Sequence, residues 1–394
     1  MNNQTEQVHR STKTKKMKKI IGYLSLQLLV FGLMAQEKQT VHSVVVEWRD
    51  IEWYKTQEKL WKVEIDKNKK NAEAWMNYYS AVRAIGICSY ENEIEQGLYI
   101  NLGHQIAKDA YAKLPESFEA NYLMYWDAGL ANNNEAFLLK AYKLRPNDPR
   151  VLLDYLIKSE INRDKETFSK VAKKLFEINR MPSGALNWAY NVLTEVSENG
   201  IVFTAGDNDT YALWITQVAM NYRTDVTVIN TSMIQMDEYR NKLFNELGIS
   251  SYNLNQESMS MTGLFYHIFE NNKKIPVHVS TSASGQFKDS LFIDNLYLTG
   301  LTYSYSTTEI ENIAIIKRNF EKRFLLDHLT KTFSYSYGDL DSRIKHMYLP
   351  GLLKLYKHAK TADDLEGIAY YKELIDSIGA ELSIQDEIKQ ALSE

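Results

Sequence analysis

Asp207 and Asp209 stand one residue apart in "GIVFTAGDNDTYALW" (200–214), directly after six mostly apolar residues. Two carboxylates so placed are hard oxygen ligands of the kind that suit magnesium, manganese or calcium. Asp-x-Asp after an apolar strand is also how many glycosyltransferases hold a divalent metal against a nucleotide-sugar diphosphate. The same residues serve an ordinary structural purpose. An Asp at the first turn of a helix accepts hydrogen bonds from the exposed amides and complements the helix dipole. A contact to a partner is the third reading of the pair. In an open α/β sheet, ligands gather beyond the carboxyl ends of the strands. Two further loops are expected there, "NTS" (230–232) and "STSASG" (280–285). The candidate ligand set is therefore Asp207, Asn208, Asp209, Thr210, Asn230, Ser232 and Ser280. Asp207 and Asp209 are the candidate metal ligands, a divalent cation is the candidate cofactor, and no residue is assigned a catalytic role.

Other chemical templates fail. No Gly-x-Gly-x-x-Gly follows the first strand and no Walker A loop is present. There is no Gly-x-Ser-x-Gly elbow, which leaves "SASG" as a flexible loop. The eight histidines form no His-Glu-x-x-His, and His278, inside a strand, reads as structural. Arg223 and Asp225 flank Thr224 just before the second strand. They are expected to cap that turn at the edge opposite "GDNDT", with a reach toward it as the other option.

The elements that position these loops alternate. "GIVFTA" reads as a buried strand after a "SENG" turn. A helix over Asp209–Tyr222 follows, with Tyr211, Trp214, Ile215, Val218 and Tyr222 on one stripe. "DVTVIN" (225–230) and "IPVHVS" (275–280) are the next strands, separated by helices over Asp237–Leu247 and Met261–Asn271. "LYLTGLTYSYS" (296–306) reads as a further strand or a hairpin edge. This order predicts a three-layer α/β domain, Rossmann-like and mainly parallel, over 197–306. Residues 307–394 are expected to be helical: one long amphipathic helix in "EIENIAIIKRNFEKRFLLDHL", then a helix pair around a polar turn at Thr361–Asp364.

Ahead of this domain, residues 36–196 have a helical pattern with a degenerate period. "AKDAYAKLP" and "LLKAYKLRP" each place Pro five residues after Ala (Ala110 to Pro115, Ala141 to Pro146), and Leu175 falls one 34-residue step beyond Ala141. The openings "AEAWMNYY" (72–79), "FEANYLMYW" (118–126) and "SGALNWAY" (183–190) echo one another. This resembles the tetratricopeptide repeat, in which stacked helix pairs present a concave surface that usually binds protein segments.

At the amino terminus a basic cluster precedes an apolar run from Ile20 to Ala35. That run is short for a membrane span and reads as a secretory signal peptide over 1–35, cleaved after Ala35, with an uncleaved anchor as the other reading; Met17 offers a second start. Its removal takes Arg10, Lys13, Lys15, Lys16, Lys18, Lys19 and Glu6, leaving 40 basic and 49 acidic residues and a net charge of -9. Such a balance argues against nucleic acid. The lone cysteine, Cys88, can form no internal disulfide. An exported chain without a stable membrane span, in the bacterial periplasm or at the cell surface, is expected.

"FTAGDNDTYALWITQVAMNYRTDVTVINTS" (203–232) resembles the soluble carboxyl-terminal region of a family of bacterial multi-spanning membrane proteins. Their membrane part looks like a polyprenyl-phosphate-sugar-using, protein-O-mannosyltransferase-like glycosyltransferase. The match rests on Phe203, Thr204, Gly206–Thr210, Leu213, Trp214, Gln217, Arg223–Val226, Val228, Asn230 and Ser232. "LYLTGLTYSY" and "YLPGLLKLYKHAK" extend it over about residues 198–375. The resemblance implies the fold, an extracytoplasmic setting and a place in envelope glycan or surface assembly. In place of that family's membrane half stands the helical-repeat half, so its sugar transfer is not carried over. The expected function is an exported, non-catalytic adaptor that binds protein partners of an envelope or membrane complex. The alternative is a metal-assisted glycosyl- or phosphoryl-group enzyme, or a nucleotide-sugar- or glycan-binding protein, using Asp207 and Asp209.

Overall fold

A computed structural model describes residues 37–129, 134–252, 261–271, 275–287, 290–331 and 340–393; the leader read at 1–35 lies outside them. The fold is mostly helical, with one small mixed sheet of five strands. Among the described residues no helix is long and apolar enough to cross a membrane.

The chain forms two compact units. One contains residues 37–41 and 50–103. Its helices α1 (Ile51–Lys67) and α2 (Ala72–Cys88) pair as a hairpin, and the first half of α3 (Glu93–Lys113) follows. Asp50 caps α1 by accepting from the Trp53 amide at 2.9 Å, and Asn71 caps α2 through Ala74. Tyr54, Trp61 and Ile65 line the inner stripe of α1, spaced to fall on one face. The extended residues before α1 are sewn to the pair: the Trp61 indole donates to the Gln39 carbonyl at 2.9 Å, and Asn77 accepts from the Val41 amide at 2.8 Å.

The other unit holds residues 42–49 and 104–394. It begins with the second half of α3, then α4 (Phe118–Ala128), α5 (Glu135–Leu144), α6 (Pro149–Asn162), α7 (Lys165–Glu177) and α8 (Ser183–Glu195). Ser117, Asp148 and Asp164 cap α4, α6 and α7, and Pro149 sits where a first-turn amide has no helical partner to lose. The periodic positions Ala110, Ala141 and Leu175 are all fully buried, and the three similar openings start α2, α4 and α8.

Five short strands follow: β1 (Ile201–Thr204), β2 (Thr227–Asn230), β3 (Val277–Ser280), β4 (Leu296–Leu298) and β5 (Thr302–Tyr305), in the spatial order β2-β1-β3-β5-β4. β1 is parallel to both β2 and β3, with Thr204 opposite Asn230 and Val202 opposite His278. The expected mainly parallel sheet is instead mixed: β5 runs antiparallel to β3 and to β4. Only Thr299, Gly300 and Leu301 join β4 to β5, far too few for the crossover that parallel strands need. The helices between strands are α9 (Asp207–Met220), α10 (Asp237–Leu247) and α11 (Met261–Asn271), with the short α12 (Ser290–Ile293) before β4. Helix α9 packs on α7 and α8 as well as beside β2, so Asp209 to Gln217 are buried on every face rather than along one stripe. Phe203 of β1 meets Phe265 and Phe269 of α11 and Phe287, an aromatic core beneath the sheet.

The carboxyl-terminal part is helical, as α13 (Asn312–Arg318), α14 (Asp327–Thr330), α15 (Leu340–Lys345), α16 (Leu349–Thr361), α17 (Leu365–Leu382) and α18 (Gln385–Ser393). The single long helix expected over 309–329 does not form. After α13 the chain widens into a π-turn over Asn319–Arg323 and then leaves helical geometry. Buried side chains compete for its backbone. Asn191 of α8 accepts from the Leu325 amide at 2.7 Å and donates to the Leu325 carbonyl at 3.0 Å, while Asn319 turns inward to the Thr299 carbonyl at 2.8 Å.

Candidate functional site

β1 lies between β2 and β3, and the chain leaves β1 toward one neighbour and later crosses to the other. The loops after β1 and β3 therefore flank the crevice where an open sheet takes a ligand. Here that crevice is bridged. Asp209, in the first turn of α9 and nearly fully buried, spreads its carboxylate over both loops. Oδ2 accepts from the Ala205 amide at 2.9 Å and from the Ser282 hydroxyl at 2.5 Å. Oδ1 accepts from the amides of Gly206 at 2.9 Å and Thr210 at 3.0 Å. This is the returning half of a capping box, and Gly206, lacking a side chain, cannot supply the other half. Burial pushes the Asp209 pKa up, opposed by Ser282 and the three amides.

Thr210 and Asn230 fill in behind it. The Thr210 hydroxyl reaches the Gly206 carbonyl at 2.5 Å and Thr204 Oγ1 at 2.6 Å. The Asn230 amide donates to Gly206 at 3.1 Å and to Thr210 Oγ1 at 2.9 Å, and its Oδ1 accepts from the Ser232 and Met233 amides. Ser280 joins through Ser282, at 2.9 Å between hydroxyls. So Asp209, Thr210, Asn230 and Ser280 form one network, and its polar atoms are used by the fold.

The remaining candidates stand outside it. Asp207 is exposed at the start of α9, its carboxyl hydrogen-bonded to Tyr211. Asn208 turns away to donate to the Val45 carbonyl at 2.8 Å, and Ser232 is exposed with only its amide engaged by Asn230. Asp207 and Asp209 thus do not converge on one point. Among the described residues no three His, Cys, Asp or Glu side chains gather closely enough to hold a metal ion.

A second buried network runs from Ser197, ahead of β1, through His278 of β3 to Thr302 of β5. Ser197 gives both its amide (3.2 Å) and its hydroxyl (3.1 Å) to His278 Nε2. With Nε2 accepting, the proton sits on Nδ1 and is donated to Thr302 Oγ1 at 3.0 Å. Thr302 in turn donates to Glu195 at 2.8 Å, and Glu195 also accepts from the Leu301 amide and the Thr299 hydroxyl. Burial, and then the Arg223 charge, lower the His278 pKa to about 4, so the ring is neutral and structural. Burial also raises the pKa of Glu195, against the hydrogen bonds from Thr299, Leu301 and both the hydroxyl and the amide of Thr302. A Cβ on Gly300 would stand 2.8 Å from Glu195 Oε2, which excludes a larger residue there. Arg223 pairs with Asp225 at 2.8 Å and also donates to the Leu193, Val196 and Ser197 carbonyls, at the edge away from Asp209. Its hydrogen bonds hold Asp225 well below the ordinary carboxylate range.

Sequence reasoning missed Glu195 and Ser282. Glu195 had a signal: it is the one acidic or basic residue in the stretch Pro182–Ser197. Ser282 had none, because its partner lies 73 residues away.

Residues 185–250 match the family model described as TMEM260-associated domain 2. This stretch holds most of α8 together with β1, α9 and β2 and runs past α10, and so includes Asp207, Asp209, Arg223, Asp225 and Asn230. The chain matches no curated protein and no solved structure.

Proposed function

We propose that the chain is an exported, non-catalytic scaffold of the bacterial cell envelope. Its tetratricopeptide-like helices bind a protein partner, and its Rossmann-like α/β part docks to an envelope or membrane complex. The observation that carries this reading is the bridged crevice. Both oxygens of Asp209 are held by backbone amides and Ser282, so the usual ligand position of such a sheet is spent on joining two loops. Full burial of Ala110, Ala141 and Leu175 supports the repeat reading, since small or apolar residues recurring at a similar spacing allow helix pairs to stack. The test is affinity capture from envelope membranes with the full chain at several salt concentrations. Recovery of a defined partner at each salt is expected, and no partner above background at any of them would remove the proposal.

The exposure of Asp207 at the carboxyl edge of the strands favours a second reading, a divalent cation held with Asp209 for glycosyl or phosphoryl chemistry. Asp209 would then have to give up amide hydrogen bonds. A rise in the unfolding temperature with manganese, lost in Asp207→Ala, would support it.

A further inference from the structure

We infer that the outward face of the first half of α3 is a docking surface for a basic amphipathic helix of a partner protein. The inference rests on the scaffold reading and names the partner's chemistry. Ile94 is 80% exposed and Leu98 64%, one helical turn apart on α3. Tyr90, in the turn before the helix, is 67% exposed, and Ile87 lies at the end of α2. Large apolar side chains left in water as a cluster mark interaction sites, whereas scattered ones need no explanation.

Gly97 borders this face, one turn beyond Ile94 and next to Leu98. A Cβ there would meet no atom within 4 Å, so nothing in the fold requires glycine at a position where it weakens a helix. A notch beside two apolar knobs is a shape that admits the ridge of a second helix. Charge then selects the occupant. Glu91 and Glu93 are exposed at the rim; Glu95 adjoins them but is met by Lys55 of α1 at 3.7 Å, and the segment itself carries no Lys or Arg between Arg83 and Lys108. A helix with an apolar stripe flanked by Lys or Arg is complementary to this surface. A second copy of the chain would bring glutamate against glutamate, and an anionic membrane would be repelled by the same rim.

The test uses the full chain and two designed amphipathic peptides that share one leucine face, one flanked by Lys and Arg and the other by Glu, followed by fluorescence anisotropy. The basic peptide is expected to bind, to weaken at least tenfold when salt rises from about 0.05 to about 0.5 M, and to outbind the acidic one. Ile94→Glu and Leu98→Glu should each reduce that binding at least tenfold. Gly97→Leu separates docking from folding: it should fill the notch and reduce binding while the unfolding temperature stays level or rises. Equal binding of the two peptides, binding of neither, or undiminished binding to Gly97→Leu would overturn the inference. So would self-association through this face, or adsorption to anionic vesicles. If the wild-type chain captures an envelope partner that Gly97→Leu captures equally well, this surface is wrong while the scaffold reading stands; if wild type captures nothing, the scaffold reading itself fails.

Discussion

Asp209 and Asp207 differ by two positions and by almost everything else. Asp209 is buried and accepts four hydrogen bonds, so replacing it leaves donors stranded in an apolar setting. Asp209→Asn is expected to cost about 2 kcal/mol or more in urea unfolding, and Asp207→Ala less, about 1 kcal/mol, for the Tyr211 hydrogen bond it removes. His278 offers a pH test. Its pKa, normally near 6.5, is about 4 in the fold, so the unfolded chain binds the proton more tightly. Its contribution is fully present above pH 6.5 and is lost as pH falls toward 4. At about pH 4.5 that difference amounts to about 2–3 kcal/mol. His278→Gln should therefore flatten the decline in stability between about pH 7.5 and about pH 4.5, measured by denaturant titration at both. An unchanged slope would place the ring in water.

At the scale of elements, local signals and long-range contacts part company. Helices α10 and α11 begin and end at the residues expected of them, and the strand cores fall within one or two residues of the expected runs. What the sequence could not supply were contacts made across long separations. The amphipathic pattern of 309–329 is real, yet the helix breaks because Asn191, 134 residues earlier, holds both backbone groups of Leu325. Asn191→Ala removes those two bonds and a third to the Tyr348 hydroxyl. It should lower stability by about 2–3 kcal/mol and speed amide exchange at Leu325. Exchange at Leu325 that does not change would show that the break has another cause. The β4–β5 edge was legible only as a choice between strand and hairpin, since the three-residue connection decides it.

For the whole molecule, the family match at 185–250 covers the junctions around Asp207 and Asp209 and leaves the helical half outside it. The candidate residues were visible in the sequence as loops at strand ends. Whether they converge depended on side-chain direction, and neither spacing nor composition contains that. The most direct measurement is calorimetric titration of the full chain with manganese and nucleotide sugars. A scaffold with Asp209 committed to its own loops gives no saturable heat. Saturable binding that Asp207→Ala and Asp209→Ala each abolish would contradict it.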